Sequence, residues 1–259
     1  MRPYIDLGSM FSLDQVEENT FRVEHGFDGG SGSLYGGLIA GQSLRAAAHT
    51  VPDGFVAHSL HGYYLRRGDS DLPITYRVER DRDGRSFSAR RVVALQNDKV
   101  IFNLSCSFNR VLDGYAYQEH AIPDPIDPDD LTDYTLEHPL LGCRVRISPQ
   151  DDPEVRFPTM FWVRPEADLA EDSNVQACSL AYISDAFSGL ARAPHIDDVE
   201  LLSSLDHAMW FYTPVLKTDW VLVELLPEAT AGGRGTYSGR LYARDGRLIA
   251  GMVQESQFR

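Results

Sequence analysis

The chain carries a second copy of part of itself, and this limits what it can fold into more than any composition figure. Residues 85 to 108, RSFSARRVVALQNDKVIFNLSCSF, lie against residues 234 to 258, RGTYSGRLYARDGRLIAGMVQESQF, if the first copy's turn is one residue longer. Arg91 then matches Arg240, Ala94 matches Ala243, and Ile101 matches Ile249. A repeat is one supersecondary unit used again, so the copies are expected to share a fold. Their surroundings agree. In the first copy LIAGQSLRAAAH (38 to 49) is helical in composition, and HSLHGYYLRR, PITYRVER, SFSARRVVA and KVIFNLSCSF read as strands rich in β-branched and aromatic residues. In the second, VQACSLAYISDAFSGL is the helix, followed by SLDHAMWFYTP, DWVLVELLP, GTYSGRLYAR and RLIAGMVQESQ as strands. The turns in ALQNDKV and ARDGRL carry the Asn-Asp and Asp-Gly signals of hairpins.

One helix followed by consecutive antiparallel strands is an α+β pattern, in which the sheet packs one face on the helix. Residues 111 to 157 separate the copies. They are broken by prolines and rich in acids, as in AIPDPIDPDDLTDY, and read as a linker draped over the surface. The expected organisation is a first unit over 1–110, a linker over 111–157, and a second unit over 158–259.

Bulk properties exclude several classes. The 259 residues are 43% hydrophobic, enough for a real core. No stretch approaches the roughly 18 consecutive apolar residues that span a bilayer, and MRPYIDLGSM lacks a basic segment followed by an apolar one. A cytoplasmic protein without membrane insertion is expected. Cys106, Cys143 and Cys178 are widely spaced with no CxxC pair, so they read as free thiols and no metal site is expected. The formal charge of −14 argues against nucleic-acid binding, and any anionic ligand must find a local basic patch. GxSxG, HExxH and GxxxxGK[ST] are all absent. GGSGSLYGG (29 to 37) falls short of GxGxxG and reads as a loop leading into the first helix. No cofactor is expected.

Between Asn174 and Arg192, Asp185 is the only formal charge on an otherwise uncharged helical segment. A carboxylate there costs several kcal/mol by desolvation unless it is bonded, paired or protonated, and burial raises its pKa toward values useful to a general base. On the last strand Leu248, Ala250, Met252 and Gln254 alternate onto one face, which aims a lone amide at the same core. Ser204 could add a hydroxyl. The first copy has Gln42 or its neighbours and Cys106 at the matching places, so acid and amide occur together once, in the second copy. Asp206 and His207, adjacent in SSLDHAM, point to opposite faces of a strand and are not expected to act as a unit. His58 and His61 are set aside as a metal pair for the same reason.

Taken together, YGGLIAGQSL, HSLHGYYLRRGD, RDGRSFSARRVVALQNDKVIF, LAYISD, SLDHAMWF and RDGRLIAGMVQE resemble the acyl-CoA thioesterase II family, from about residue 20 to the end except for the linker. The resemblance implies a tandem double hotdog, each half an antiparallel sheet wrapped around a central helix. It also implies hydrolysis of fatty acyl-CoA to free acid and CoA, by an Asp, a hydroxyl and a Gln around one water. Carried over by motif, these are Asp185 of LAYISD, Ser204 before LDHAMWF, and Gln254 of VQE. The first helix opens with YGGL where the family has FGGQ, so Leu38 replaces a Gln. Hotdog sheets often pair, so a homo-oligomer is expected.

On this reading Asp185 takes a proton from water while Gln254 and Ser204 hold that water. The CoA thiolate leaves readily, so no general acid is demanded, in keeping with the absence of a suitably placed His. Gly36 and Gly37, at the first helix's start, are candidate oxyanion donors, with tight packing as the plainer explanation. Arg66, Arg67, Arg85, Arg90 and Arg91 form the richest basic set for the CoA phosphates, with Arg90 and Arg91 the leading candidates; the plainer alternative is a solvated hairpin. A non-catalytic acyl-CoA binding protein and an enoyl-CoA hydratase are the competing readings.

Overall fold

The computed structural model describes residues 7–28, 33–111, 114–134, 140–147, 158–166, 169, 172–192, 201–213 and 219–258. Among the described residues, thirteen strands form one antiparallel sheet. They are β1 (Asp14–Glu17), β2 (Thr20–Val23), β3 (Phe55–Tyr64), β4 (Ile74–Asp83), β5 (Phe87–Gln96), β6 (Lys99–Arg110), β7 (Cys143–Ile147), β8 (Met160–Pro165), β9 (Leu201–Ser204), β10 (Asp206–Phe211), β11 (Val221–Ala231), β12 (Arg234–Ala243) and β13 (Leu248–Phe258). The strand order is β1-β2-β4-β5-β6-β3-β10-β13-β12-β11-β8-β7, with β9 pairing additionally on β13. Outward from the central β3–β10 pair the two sides run in matching order: β6, β5, β4, β2, β1 on one, β13, β12, β11, β8, β7 on the other. The internal repeat of the sequence thus returns as a near-palindrome of strands.

Two helices, α1 (Gly36–Ala48) and α2 (Ser173–Ser184), pack against each other and against the sheet. Asp172 caps α2 by accepting from the N–H groups of Asn174 and Val175. Gln176 to Ser184 are all buried, as an uncharged helix inside a protein should be. Arg45, in the last turn of α1, pairs at 2.8 Å with Asp172 at the start of α2. The helices therefore lie antiparallel, with the start of α1 beside the end of α2. Asn174 ties α2 to β3 by accepting from Ala57 N and donating to Phe55 O, both at 2.9 Å.

The hairpin signals hold at the turns. Asn97 and Asp98 have φ of 48° and 59°, the doubly left-handed geometry of a type I′ turn joining β5 and β6. Gly246 has φ of 91° in the turn between β12 and β13.

Strict alternation fails at one predicted position. Leu248 is expected inward with Ala250 and Met252, but the register shifts where Tyr242 faces Leu248, and Leu248 packs outward with Trp162, Trp220, Leu222 and Tyr242. Ile122 and Leu131 cover that outer cluster, and Trp162 Nε1 donates to Ile126 O at 3.0 Å. Ile122, Ile126 and Leu131 of the segment between the two repeats thus meet the sheet's outer face, and that segment also contributes a strand, β7, at the sheet's edge.

Candidate active site

α2 ends at Asp185, so the acid is not in mid-helix but is the helix's C-terminal capping residue. That end carries the helix's partial negative charge and disfavours an anion. The neighbouring helix supplies the compensation. α1 begins after Tyr35, whose side chain makes no cap, and Gly37 N in its first turn donates to Asp185 Oδ2 at 2.8 Å. Asp185 thus caps α1 from 148 positions away in sequence. The two glycines make this approach possible: a Cβ on Gly37 would stand 2.5 Å from Tyr182 O, and one on Gly36 would stand 2.7 Å from Asp185 Oδ2.

The other carboxylate oxygen faces β13. Gln254 Nε2 donates to Asp185 Oδ1 at 3.0 Å and to Ser204 Oγ at 2.5 Å. The structure thus brings Asp185, Ser204 and Gln254 into contact, and all three line a cavity of about 730 Å³. Burial raises the Asp185 carboxyl above its ordinary range, opposed by the His207 imidazole, the Gln254 amide and the Gly37 N–H. Tyr35, Tyr64 and Tyr237 also line the cavity. Burial first, and then the Asp185 charge, holds their phenols well above the usual value, so they stay neutral. Ile39, Leu34 and Phe187 give the cavity apolar wall, and Arg66 and Arg67 stand on its lining.

Two expectations about substrate contacts change. Arg90 is 1% exposed, and its guanidinium donates to Thr50 Oγ1, Thr50 O, Arg82 O and Ala89 O and pairs with Asp83. It is a structural cation inside the first half, with no donor left for a phosphate. Arg91 is exposed but paired with Asp81 and Glu79 on β4, and it does not line the cavity. Of the predicted basic set, Arg66 and Arg67 are the members at the cavity. Gly37 is likewise withdrawn as an oxyanion donor, because Asp185 takes up its N–H; Gly36 lines the cavity. Leu38, at the position that departs from FGGQ, is wholly buried.

His207 was missed as a neighbour of the site. Its ring is wholly buried, with Nδ1 hydrogen-bonded to Gln254 Oε1 and Nε2 2.9 Å from Ser184 Oγ. Asp206 and His207 do point apart, since Asp206 Oδ1 accepts from Glu255 N at 2.7 Å. The signal was in β10, where His207, Met209 and Phe211 alternate as one buried row. In the first half the matching polar groups are tied into structure: Gln42 Oε1 accepts from Tyr76 Oη at 2.6 Å, and Gln42 Nε2 donates to Met10 O at 2.7 Å.

Comparison with known proteins fits this frame. Residues 25–109 match the model of the acyl-CoA thioesterase N-terminal domain, and residues 117–258 that of the acyl-CoA thioesterase C-terminal domain. Acyl-coenzyme A thioesterase 8 of Mus musculus is 36% identical over 97% of this chain and 88% of its own length. Acyl-CoA thioesterase 2 of Haemophilus influenzae is 30% identical over 96% of each chain. Among solved structures, the acyl-CoA thioesterase II TesB2 of Mycobacterium marinum superposes with a TM-score of 0.83 at 35% identity, over 98% of both chains. A protein with a hot dog fold from Alicyclobacillus acidocaldarius superposes at 0.81 with 17% identity, a likeness of fold alone. The protein is an acyl-CoA thioester hydrolase of the hotdog class. More narrowly, the chain belongs to the TesB-like acyl-CoA thioesterase II family.

Proposed function

We propose that this chain is a tandem double hotdog, with units over 1–110 and 158–259, that hydrolyses fatty acyl-CoA at one site built around Asp185, Gln254 and Ser204. The observation that carries this reading is the Gln254 amide, which bonds the acid and the hydroxyl at once on the wall of a cavity. A carboxylate has about four lone-pair positions, and Gly37 and Gln254 engage two of them. The rest can accept a proton from water, while Ser204 Oγ, already accepting from Gln254, has its own hydrogen to give to that water's oxygen.

The water oxygen then bonds to the thioester carbon as its proton passes to Asp185. The negative charge on the carbonyl oxygen is met by the N–H of Gly36 at the positive end of α1. Collapse of the tetrahedral intermediate breaks the carbon–sulfur bond and releases CoA as thiolate, which takes up the proton held by Asp185. The acyl chain lies along Ile39, Leu34 and Phe187, and Arg66 and Arg67 offer cations to the CoA phosphates. Release of CoA from palmitoyl-CoA, followed with a thiol reagent, tests the assignment. Asp185→Asn, Gln254→Ala and Ser204→Ala are each expected to lower kcat in a folded protein, Asp185→Asn by about 100-fold or more. Near-normal turnover by Asp185→Asn would remove the proposed base.

A further inference from the structure

We propose that His207 is a positioning residue for the hydrolytic site, fixing which way round the Gln254 amide sits so that both its N–H bonds point at Asp185 and Ser204. This rests on the catalytic reading above and goes beyond it, since His207 does not itself line the cavity and its two ring nitrogens meet Gln254 and Ser184 rather than Asp185.

The inference follows from the direction of each hydrogen bond. An amide has one end that donates and one that accepts, and only the donating end suits a carboxylate. With Gln254 Nε2 placed 3.0 Å from Asp185 Oδ1 and 2.5 Å from Ser204 Oγ, its Oε1 points away from the cavity and into the core. A buried carbonyl needs a donor, and the group it meets is His207 Nδ1. The ring must therefore carry its proton on Nδ1. Its other nitrogen, Nε2, then faces Ser184 Oγ at 2.9 Å and accepts its hydrogen when that hydroxyl turns to the ring from Ala181 O, 3.0 Å away. One directed chain results, from His207 to Gln254 and from Gln254 to both Asp185 and Ser204.

The reverse arrangement is self-defeating. If the amide turned over, Oε1 would face the Asp185 carboxylate, two acceptors at hydrogen-bond distance, and the ring would have to move its proton to Nε2. Burial pushes the His207 imidazole below its ordinary value, with the Asp185 charge, the bond to Gln254 and the Asp206 charge opposing that. A neutral ring carries one N–H, which makes the choice of nitrogen meaningful. α2 and β10 supply the fixed ends: Ser184 is the last residue of α2 and adjoins Asp185, so one helix terminus places both the acid and the anchor of the ring that orients the amide.

The test combines a spectrum with kinetics. The imidazole whose nitrogen-15 signals vanish in His207→Asn identifies the ring in the wild-type protein, and the Nδ1–H pattern is expected. An Nε2–H pattern would overturn the proposal whatever the kinetics show. His207→Leu, its folding followed by thermal unfolding, is expected to lower kcat for palmitoyl-CoA about tenfold or more with KM little changed. His207→Asn, whose side-chain amide can still donate to Oε1, is expected to recover a large part of that loss. In the Gln254→Ala background, His207→Leu is expected to cost nothing further, because it acts through the amide. Wild-type kcat in His207→Leu, or losses that multiply in the double variant, would defeat the inference while leaving the catalytic site intact. Wild-type kcat in Gln254→Ala would instead remove the catalytic reading on which the inference rests.

Discussion

Asp185 Oδ2 lies 2.8 Å from Gly37 N, so the acid that ends one central helix also caps the start of the other. The contact joins the two repeats of the chain at the wall of the cavity. Asp185 is thus a structural cap as well as a candidate general base. A group held by a helix start and an amide has a fixed direction, and a fixed direction is what a general base needs.

Gly37→Ala should damage fold and activity together. The added Cβ would meet Tyr182 O at 2.5 Å and Asp185 Cβ at 3.1 Å, and the backbone oxygen cannot yield without moving α2. Overpacking of this kind costs about 1–3 kcal/mol. A lower midpoint in thermal unfolding, with a larger fall in turnover than the residual folded fraction explains, is the expected result. An alanine variant as stable and as active as the parent would show that the helices are not packed so closely.

Activity should fall on acidification at a pH above the ordinary carboxylate range. Asp185 must be ionised to take a proton from water, and burial raises its pKa. The acid limb of kcat/KM against pH is therefore expected to have its midpoint above about 3.9, the value for an unperturbed Asp. A midpoint at or below that value would mean that the titrating group is not this one.

The same shift makes Asp185 a stability liability at neutral pH. A carboxyl whose folded pKa lies above its unfolded value binds more protons in the folded state, so unfolding free energy falls as pH rises from the unfolded pKa through the folded one. Relative to Asp185→Asn, the parent should lose stability across that window, with a limiting slope of about 1.4 kcal/mol per pH unit. Urea unfolding of both proteins from pH 4 upward reads it directly; parallel curves would refute it. His207 titrates with the opposite sign, since burial lowers its pKa; losing the Asp185 charge lowers it further in Asp185→Asn, which changes the difference between the two proteins in the same direction.

Arg90 and the Arg66–Arg67 pair should separate cleanly. Arg90→Met leaves the Thr50, Arg82 and Ala89 carbonyls without their donor and should cost about 1–3 kcal/mol of stability without altering KM. Replacing Arg66 and Arg67 by Ala should leave stability near the parent's and raise KM for acyl-CoA by about fivefold, less at high salt. A KM effect at Arg90 alone would return the phosphates to that side of the protein.

Much of this was legible in the sequence. The repeated hairpin implied two like arrays of strands, and the Asn97-Asp98 turn marked its own position. The pairing of Asp185 with Gln254 followed from one charge in an apolar helix and one amide in an apolar strand. Legibility stopped where long-range contacts decide. Nothing local reveals that Arg90 turns inward to Thr50, 40 positions earlier, while Arg91 faces solvent. Likewise the helix boundary at Ser184 and the contact with Gly37 depend on two helices packing antiparallel, the start of one beside the end of the other. His207 was visible by parity, since Asp206 and His207 point to opposite faces, but that it meets the Gln254 amide depends on the pairing of β10 with β13. Leu248 was misplaced because a single register slip reverses every side chain beyond it.

The cavity takes Gly36 and Tyr64 from one repeat and Asp185, Ser204 and Gln254 from the other. The two repeats are therefore not interchangeable: the first ties Gln42 and Arg90 into its own packing and supplies the helix start that Asp185 caps. Cutting the polypeptide between its repeats would part Asp185 and Gln254 from the Gly37 N–H that holds the acid in place.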